Sequence, residues 1–207
     1  MRHRRAMTPA VIVIDDFLAD PHAFRAMALG LNYNIEGPYP GRNSAEHVRL
    51  DGLERLAGSF VHQPLKAPWP PESHGRFRLA LASDDEPGRI HIDPNDWSGI
   101  LYLSLPEHCR GGTEFYRHRP SGTDRVPRSV EELQAAGYDS YDALKQQVME
   151  RDTLDRAQWE LTTTVPMRFN RLVLIQPHYW HTSGSGFGSD VHDGRLVYLM
   201  FFWRAAR

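Results

Sequence analysis

From Gly75 onward the chain is cut into short apolar runs whose side chains alternate, and that period of two restricts it to β-rich folds. Phe77, Leu79 and Leu81 alternate with Arg78, Ala80 and Ala82, and a turn at residues 84–88 leads into Arg89-Ile90-His91-Ile92-Asp93, expected as the next strand. Residues 97–105 place Ile100, Tyr102 and Ser104 on one face and Leu101, Leu103 and Leu105 on the other. Gly111-Gly112-Thr113-Glu114-Phe115-Tyr116 opens a further strand, and residues 171–175 and 195–203 supply two more around the glycine-rich turn at 184–188. Many short strands with frequent turns predict a barrel or a double-sheet sandwich.

Helical signals flank and interrupt this pattern. After the β-branched run Val11-Ile12-Val13-Ile14, Asp20 and Pro21 supply an N-cap and an N1 proline for a helix that runs to Leu29 and stops at Gly30. Residues 34–43, rich in Gly, Pro and Tyr, read as loop. A second helix is expected from Ala45 to about Gly58 on a ragged stripe of Val48, Leu50, Leu53 and Leu56. Residues from about 118 to 168 lack strand periodicity and carry helix formers such as Glu131-Glu132-Leu133-Gln134-Ala135-Ala136. They read as a helical insertion, either a lid beside a site or a cap over the sheet. With no repeat and no linker, residues 1–207 are expected to form one domain that is mainly β with flanking helices.

Composition narrows the partners. A net charge of -2 and a pI near 6.6 give no electrostatic reason to expect nucleic acid. The basic cluster Arg2, His3, Arg4 and Arg5 is short and terminal, and reads as a solvated end. No apolar run is long enough for a signal peptide or membrane span, so a cytoplasmic location without membrane association is expected. The one cysteine, Cys109, cannot form an intramolecular disulfide and suits a reducing compartment. Its neighbour His108 does not make it a nucleophile, and it reads as a packing or surface thiol.

The chemistry-bearing pattern is His91-Ile92-Asp93 with a distant His181. On an extended segment His91 and Asp93 share a face while Ile92 points away. Two imidazoles and one carboxylate are the donor set of an open Fe(II) site, with coordination positions left for substrate and oxygen. His178 competes for the third position. His181 is preferred because it follows Trp180 and leads into Thr182-Ser183-Gly184, whereas His178 follows Pro177 in an expected turn. His192, beside the glycine turn, is expected to be exposed.

From His91 to Phe202 the chain resembles the Fe(II)/2-oxoglutarate-dependent dioxygenases, particularly the prolyl-hydroxylase-like branch and its bacterial relatives. The parts that carry the resemblance are His91-Ile92-Asp93, Tyr102-Leu103, Gly111-Gly112-Thr113-Glu114-Phe115, His181 and Arg195, in that order, and Ile14-Asp15-Asp16-Phe17-Leu18 is similar to that family's opening strand. The resemblance implies a double-stranded β-helix (jelly roll) with metal ligands His91, Asp93 and His181. It also implies Fe(II) as cofactor, 2-oxoglutarate as co-substrate and O2 as oxidant. Arg195 would anchor the far carboxylate of 2-oxoglutarate, and Tyr102 either hydrogen-bonds that co-substrate or packs in the core. The passage from His181 into the Arg195 strand would make the two antiparallel neighbours.

The expected reaction is hydroxylation of a small molecule or of an amino-acid or peptide side chain. A non-catalytic jelly-roll binding module, or a cupin-like metalloprotein that does not use 2-oxoglutarate, are the alternatives. Asn95, Asp96, Trp97 and the stretch from Tyr39 to Ser44 lie where a substrate could pass. Arg78 and Arg171 read as solvated strand-edge charges rather than anion sites. Exposed strand edges are compatible with a homodimer.

Overall fold

The computed structural model describes residues 10–37, 39–84 and 88–205. The basic N-terminal cluster and most of the expected turn at 84–88 lie outside the described residues. In chain order the elements are β1 (Val11–Ile14), α1 (Pro21–Leu29), β2 (Tyr33–Ile35), β3 (Arg42–Ser44), α2 (Leu53–Val61), β4 (Leu65–Lys66), β5 (Phe77–Ala80) and β6 (Trp97–Tyr102). There follow β7 (Gly112–His118), α3 (Val130–Ala135), α4 (Tyr141–Leu144), β8 (Trp159–Pro166), β9 (Leu172–Ile175), β10 (His181–Thr182) and β11 (Arg195–Arg204). Two antiparallel sheets result. The larger runs β1-β9-β6-β11-β5-β3-β2, with β4 paired to the far end of β11, and the smaller runs β10-β7-β8.

Strand β11 organises the larger sheet, pairing β6 on one side and β5 on the other. Its alternation splits its residues between two environments. Leu196, Tyr198, Met200 and Phe202 enter the main core with Phe77, Trp97, Leu101 and Leu174, and helices α1 and α2 cover that face through Ala28, Leu53, Ala57 and Val61. The alternate residues Arg195, Val197, Leu199 and Phe201 face a cavity. Helix α1 forms where its cap is read: the Asp20 carboxylate accepts the Ala23 N–H at 2.9 Å and Pro21 opens the helix.

Several expectations are corrected. The second helix begins at Leu53, not Ala45, because Gly52 adopts φ +74° and interrupts any earlier turn, while the Val48 backbone is committed to Gly75 and to the Tyr198 hydroxyl. Residues 34–43 are not all loop, since β2 and β3 pair there as an edge hairpin whose polar residues leave no apolar alternation to read. Residues 89–93 form no strand, being extended chain with one bridge at His91. The segment 118–168 is not wholly helical, for it ends in β8, whose exposed residues 160–164 are polar except for Leu161. Finally, β10 and β11 are not neighbours: β10 pairs β7 in the smaller sheet.

The insertion carries its own core. Leu133, Tyr138, Leu144, Val148 and Trp159 pack on Ile90, Tyr116 and Trp180. Among the described residues none between 119 and 164 lines the cavity on β11, so this segment covers the back of the smaller sheet. It also braces the residues beside His91 and His181, because Thr153 exchanges hydrogen bonds with Ile90 and the Trp180 N–H donates to the Asp124 carbonyl.

Candidate metal and anion site

The cavity, about 390 Å³, lies between the sheets, with Arg78, Ser98 and Arg195 from the larger one and Thr113 and His181 from the smaller. At one side His91, Asp93 and His181 converge, with one donor atom from each within 4.8 Å of the others. Reciprocal backbone hydrogen bonds between His91 and His181, at 2.9 and 3.0 Å, fix the two histidines opposite each other. The Asp93 N–H donates to the Pro177 carbonyl at 3.0 Å, so the two-residue spacing brings Asp93 to the same side without a continuous strand.

The protons are placed by the surroundings. Nδ1 of His91 lies 2.8 Å from the Arg89 carbonyl, and Nδ1 of His181 lies 2.8 Å from the Tyr179 carbonyl. A carbonyl only accepts, so each Nδ1 carries a proton, and Nε2 is the atom each ring has left for a metal. Burial, reinforced by neighbouring His181, pushes His91 down to about 4, which keeps it neutral at physiological pH. Burial opposes charge on Asp93, while the His181 and His91 rings in their protonated form and the Ser98 hydroxyl, which donates to it, pull its carboxyl down to about 2. Ser98 donates to Asp93 Oδ2 at 2.8 Å and is itself held by Asn95 at 3.0 Å. Each Nε2 stands 3.6 Å from a carboxylate oxygen of Asp93, beyond hydrogen-bonding distance. The two Nε2 atoms and the carboxylate thus converge where a divalent cation could take all three as ligands.

Arg195 is the second unusual group. It is 2 % exposed, and its Nε and Nη2 are buried without a hydrogen-bond partner among the described residues. Its guanidinium carbon lies 5.8 Å from the centroid of the Tyr102 ring. Burial lowers its pKa, with Tyr102 and Glu114 acting in opposition. Tyr102 is wholly buried, burial keeps its hydroxyl protonated, and that hydroxyl is bound to Thr113 Oγ1 at 2.6 Å. Tyr102 therefore supports Arg195 from beneath, and Thr113 is the member of the pair that lines the cavity. The Gly-Gly-Thr turn has a local cause: Gly111 takes φ +59°, and a Cβ on Gly112 would fall 1.9 Å from the Val165 carbonyl oxygen.

The remaining candidates sort clearly. Tyr39 stacks on His91 with ring centroids 4.4 Å apart, so the 39–44 stretch does reach the site. His178 packs on Tyr179 and is not part of the cluster, and His192 is exposed. Trp97 is a core residue, Asn95 props Ser98, and Asp96 accepts the Arg204 N–H. Cys109 is half-buried and its thiol donates to the Ser104 carbonyl. Arg171 pairs with Asp15. Arg78 departs from expectation: it is buried in the cavity wall rather than solvated at a strand edge. Ser98 was not singled out in the sequence, since a serine on a strand five residues from Asp93 carries no local signal.

Solved structures share this fold at low sequence identity. The crystal structure of HygX from Streptomyces hygroscopicus with nickel and 2-oxoglutarate bound superimposes with a TM-score of 0.52 at 14 % identity, over 96 % of this chain and 84 % of that one. SnoK, a non-heme alpha ketoglutarate dependent carbocyclase from nogalamycin biosynthesis, superimposes with a TM-score of 0.55 at 14 % identity, over 96 % and 81 %. No curated protein matches the sequence. Residues 2–202 match the family described as "Family of unknown function (DUF6445)", and the chain belongs to that family.

Proposed function

We propose that this protein is an Fe(II)- and 2-oxoglutarate-dependent oxygenase that hydroxylates a small molecule or an amino-acid or peptide side chain. The observation that carries the reading is the shared cavity. A preset set of two imidazole Nε2 atoms and a carboxylate stands in it with a buried guanidinium that has unspent donors. The larger and smaller sheets around the cavity support a double-stranded β-helix, formed by residues 1–207 as one domain. The order of motifs from His91 to Arg195 supports the prolyl-hydroxylase-like branch. HygX with nickel and 2-oxoglutarate bound, and 2-oxoglutarate-dependent SnoK, support the same chemistry by likeness of fold.

His91, Asp93 and His181 would hold the metal. Bound there with 2-oxoglutarate, Fe(II) supplies oxidation of an unactivated C–H bond by O2, coupled to decarboxylation of 2-oxoglutarate to succinate. The chain contributes position and environment. The carbonyls of Arg89 and Tyr179 keep both imidazoles in the tautomer that presents Nε2. Ser98 orients the Asp93 carboxylate. Arg195 would bind the far carboxylate of 2-oxoglutarate through Nε and Nη2, and Tyr102 with Thr113 fixes the direction of that guanidinium. Residues Val197, Leu199 and Phe201 exclude water from the same wall. A binding module or a cupin-like metalloprotein would leave the buried charge of Arg195 without a role.

Anaerobic addition of Fe(II) and 2-oxoglutarate tests the reading. Wild type is expected to develop the weak visible charge-transfer band of the chelate, and Arg195→Ala to lose it while still binding iron. Absence of the band in wild type would overturn the proposal.

A further inference from the structure

We infer that Arg78 forms a second anion subsite in the cavity, one that takes a carboxylate carried by the substrate itself; this deepens the oxygenase reading and rests on it. Arg78 sits on β5 opposite Val197 of β11, on the same cavity-facing side as Arg195. It is 9 % exposed. Its guanidinium donates to Asn43 Oδ1 at 2.8 Å and to the carbonyls of Tyr39 and Pro40. All three acceptors are neutral. They hold the group in place without cancelling its charge, and it pairs with no carboxylate among the described residues. Burial, with Arg195 nearby, lowers its pKa only to about 10, so the cation persists at neutral pH.

The two guanidiniums have different anchors. Arg195 rests on Tyr102 of β6, whereas Arg78 is tied to Asn43 of β3 and the loop before it. β11 and β5 are paired, with Ala80 opposite Arg195 and Val197 opposite Arg78, so the two arginines are diagonal neighbours on one face and differ in what anchors each head group. One head group is anchored toward the β6 side of the cavity and its neighbour toward the hairpin side.

Charge balance points to the ligand. Of the groups that line the cavity, a divalent metal, Arg195 and Arg78 would be opposed by Asp93 and the two carboxylates of 2-oxoglutarate, an excess of one positive charge on the lining, while Asp84 and Glu114 act on Arg78 and Arg195 from outside it. Glu36, the other acid on the lining, is exposed and lies 3.4 Å from Arg42. A substrate bearing one carboxylate closes the balance, and the apolar wall of Ile100, Val197, Leu199 and Phe201 suits a largely hydrocarbon body. The substrate class is an organic acid presented carboxylate-first to the hairpin side.

The test is calorimetric and does not depend on turnover. Protein loaded with Ni(II) and saturating 2-oxoglutarate is titrated with hexanoate and 3-phenylpropionate, each beside its neutral primary amide. Wild type is expected to bind at least one acid tenfold or more tighter than its amide. Arg78→Gln should bring that ratio close to one while 2-oxoglutarate affinity stays within about twofold. Asn43→Asp, which neutralises Arg78 without removing it, should also abolish the preference and guards against misfolding of the first variant. No acid preference in wild type, or a preference that survives in both variants, overturns the inference. A tenfold loss of 2-oxoglutarate affinity in Arg78→Gln overturns it as well, because Arg78 would then be part of the co-substrate clamp. Unchanged 2-oxoglutarate binding in Arg195→Gln would instead count against the oxygenase reading on which the inference rests.

Discussion

The two faces of β11 obey different rules. Leu196, Tyr198, Met200 and Phe202 fill the main core, where burial removes apolar surface from water and stabilises the fold. One residue out of step, the cavity face carries Arg195, a buried cation with unspent donors beside Val197, Leu199 and Phe201. A buried, unpaired guanidinium costs stability. The same backbone thus supports a face built for stability and a face that gives some of it up for a site.

The contrast is broken most sharply by paired substitutions. Phe202→Ala on the core face should destabilise by about 3–5 kcal/mol, as deletion of a fully buried aromatic does. Arg195→Met on the cavity face should be neutral or stabilising, within about 1–4 kcal/mol, because it replaces an unpaired buried charge by an apolar side chain of similar size. Thermal unfolding measures both. Comparable losses in the two variants would show that Arg195 is a structural partner rather than a group set aside for an anion.

A smaller effect sharpens the same contrast with a buried polar group that is fully partnered. His118 is enclosed, with Nδ1 2.8 Å from the Ser121 hydroxyl and Nε2 3.0 Å from Asp152 Oδ2. Burial lowers its pKa below 6.5 despite the carboxylate, so the folded protein favours the neutral ring donating from Nε2 to Asp152. A histidine with a depressed folded pKa binds fewer protons than in the unfolded chain. Its contribution is therefore complete above about pH 6.5 and is lost as pH falls from there through the folded pKa. Melting temperatures from pH 8 to 5 should decline in wild type, and part of that decline should vanish in His118→Gln. An identical decline in both proteins would remove His118 from the account.

How much of this was legible depends on how local each signal is. The convergence of His91, Asp93 and His181 could be anticipated because a two-residue spacing acts at short range and because His181 leads into small residues. Arg195 stood out as a charge opening an apolar strand. Arg78 did not, because Arg-flanked alternation reads the same whether the outer face meets water or a second sheet, and only the β2–β3 hairpin decides between them. That hairpin and β8 were hidden for a related reason. β2 and β8 are edge strands with largely exposed side chains, and the short β3 buries the polar Asn43 and Ser44, so none of the three shows an apolar alternation. The helix start at Leu53 turned on the left-handed conformation of Gly52, which a helical stripe does not report.

We propose that His91, Asp93 and His181 alone would hold one metal ion beside the Arg195 guanidinium. Anaerobic titration of the metal-free protein with Fe(II), read as bound iron per chain, tests it most directly. The expected result is one ion per chain in wild type and none in His91→Ala, Asp93→Ala or His181→Ala, each still folded by circular dichroism. Stoichiometric iron retained in any of those variants, or none bound by wild type, would contradict it.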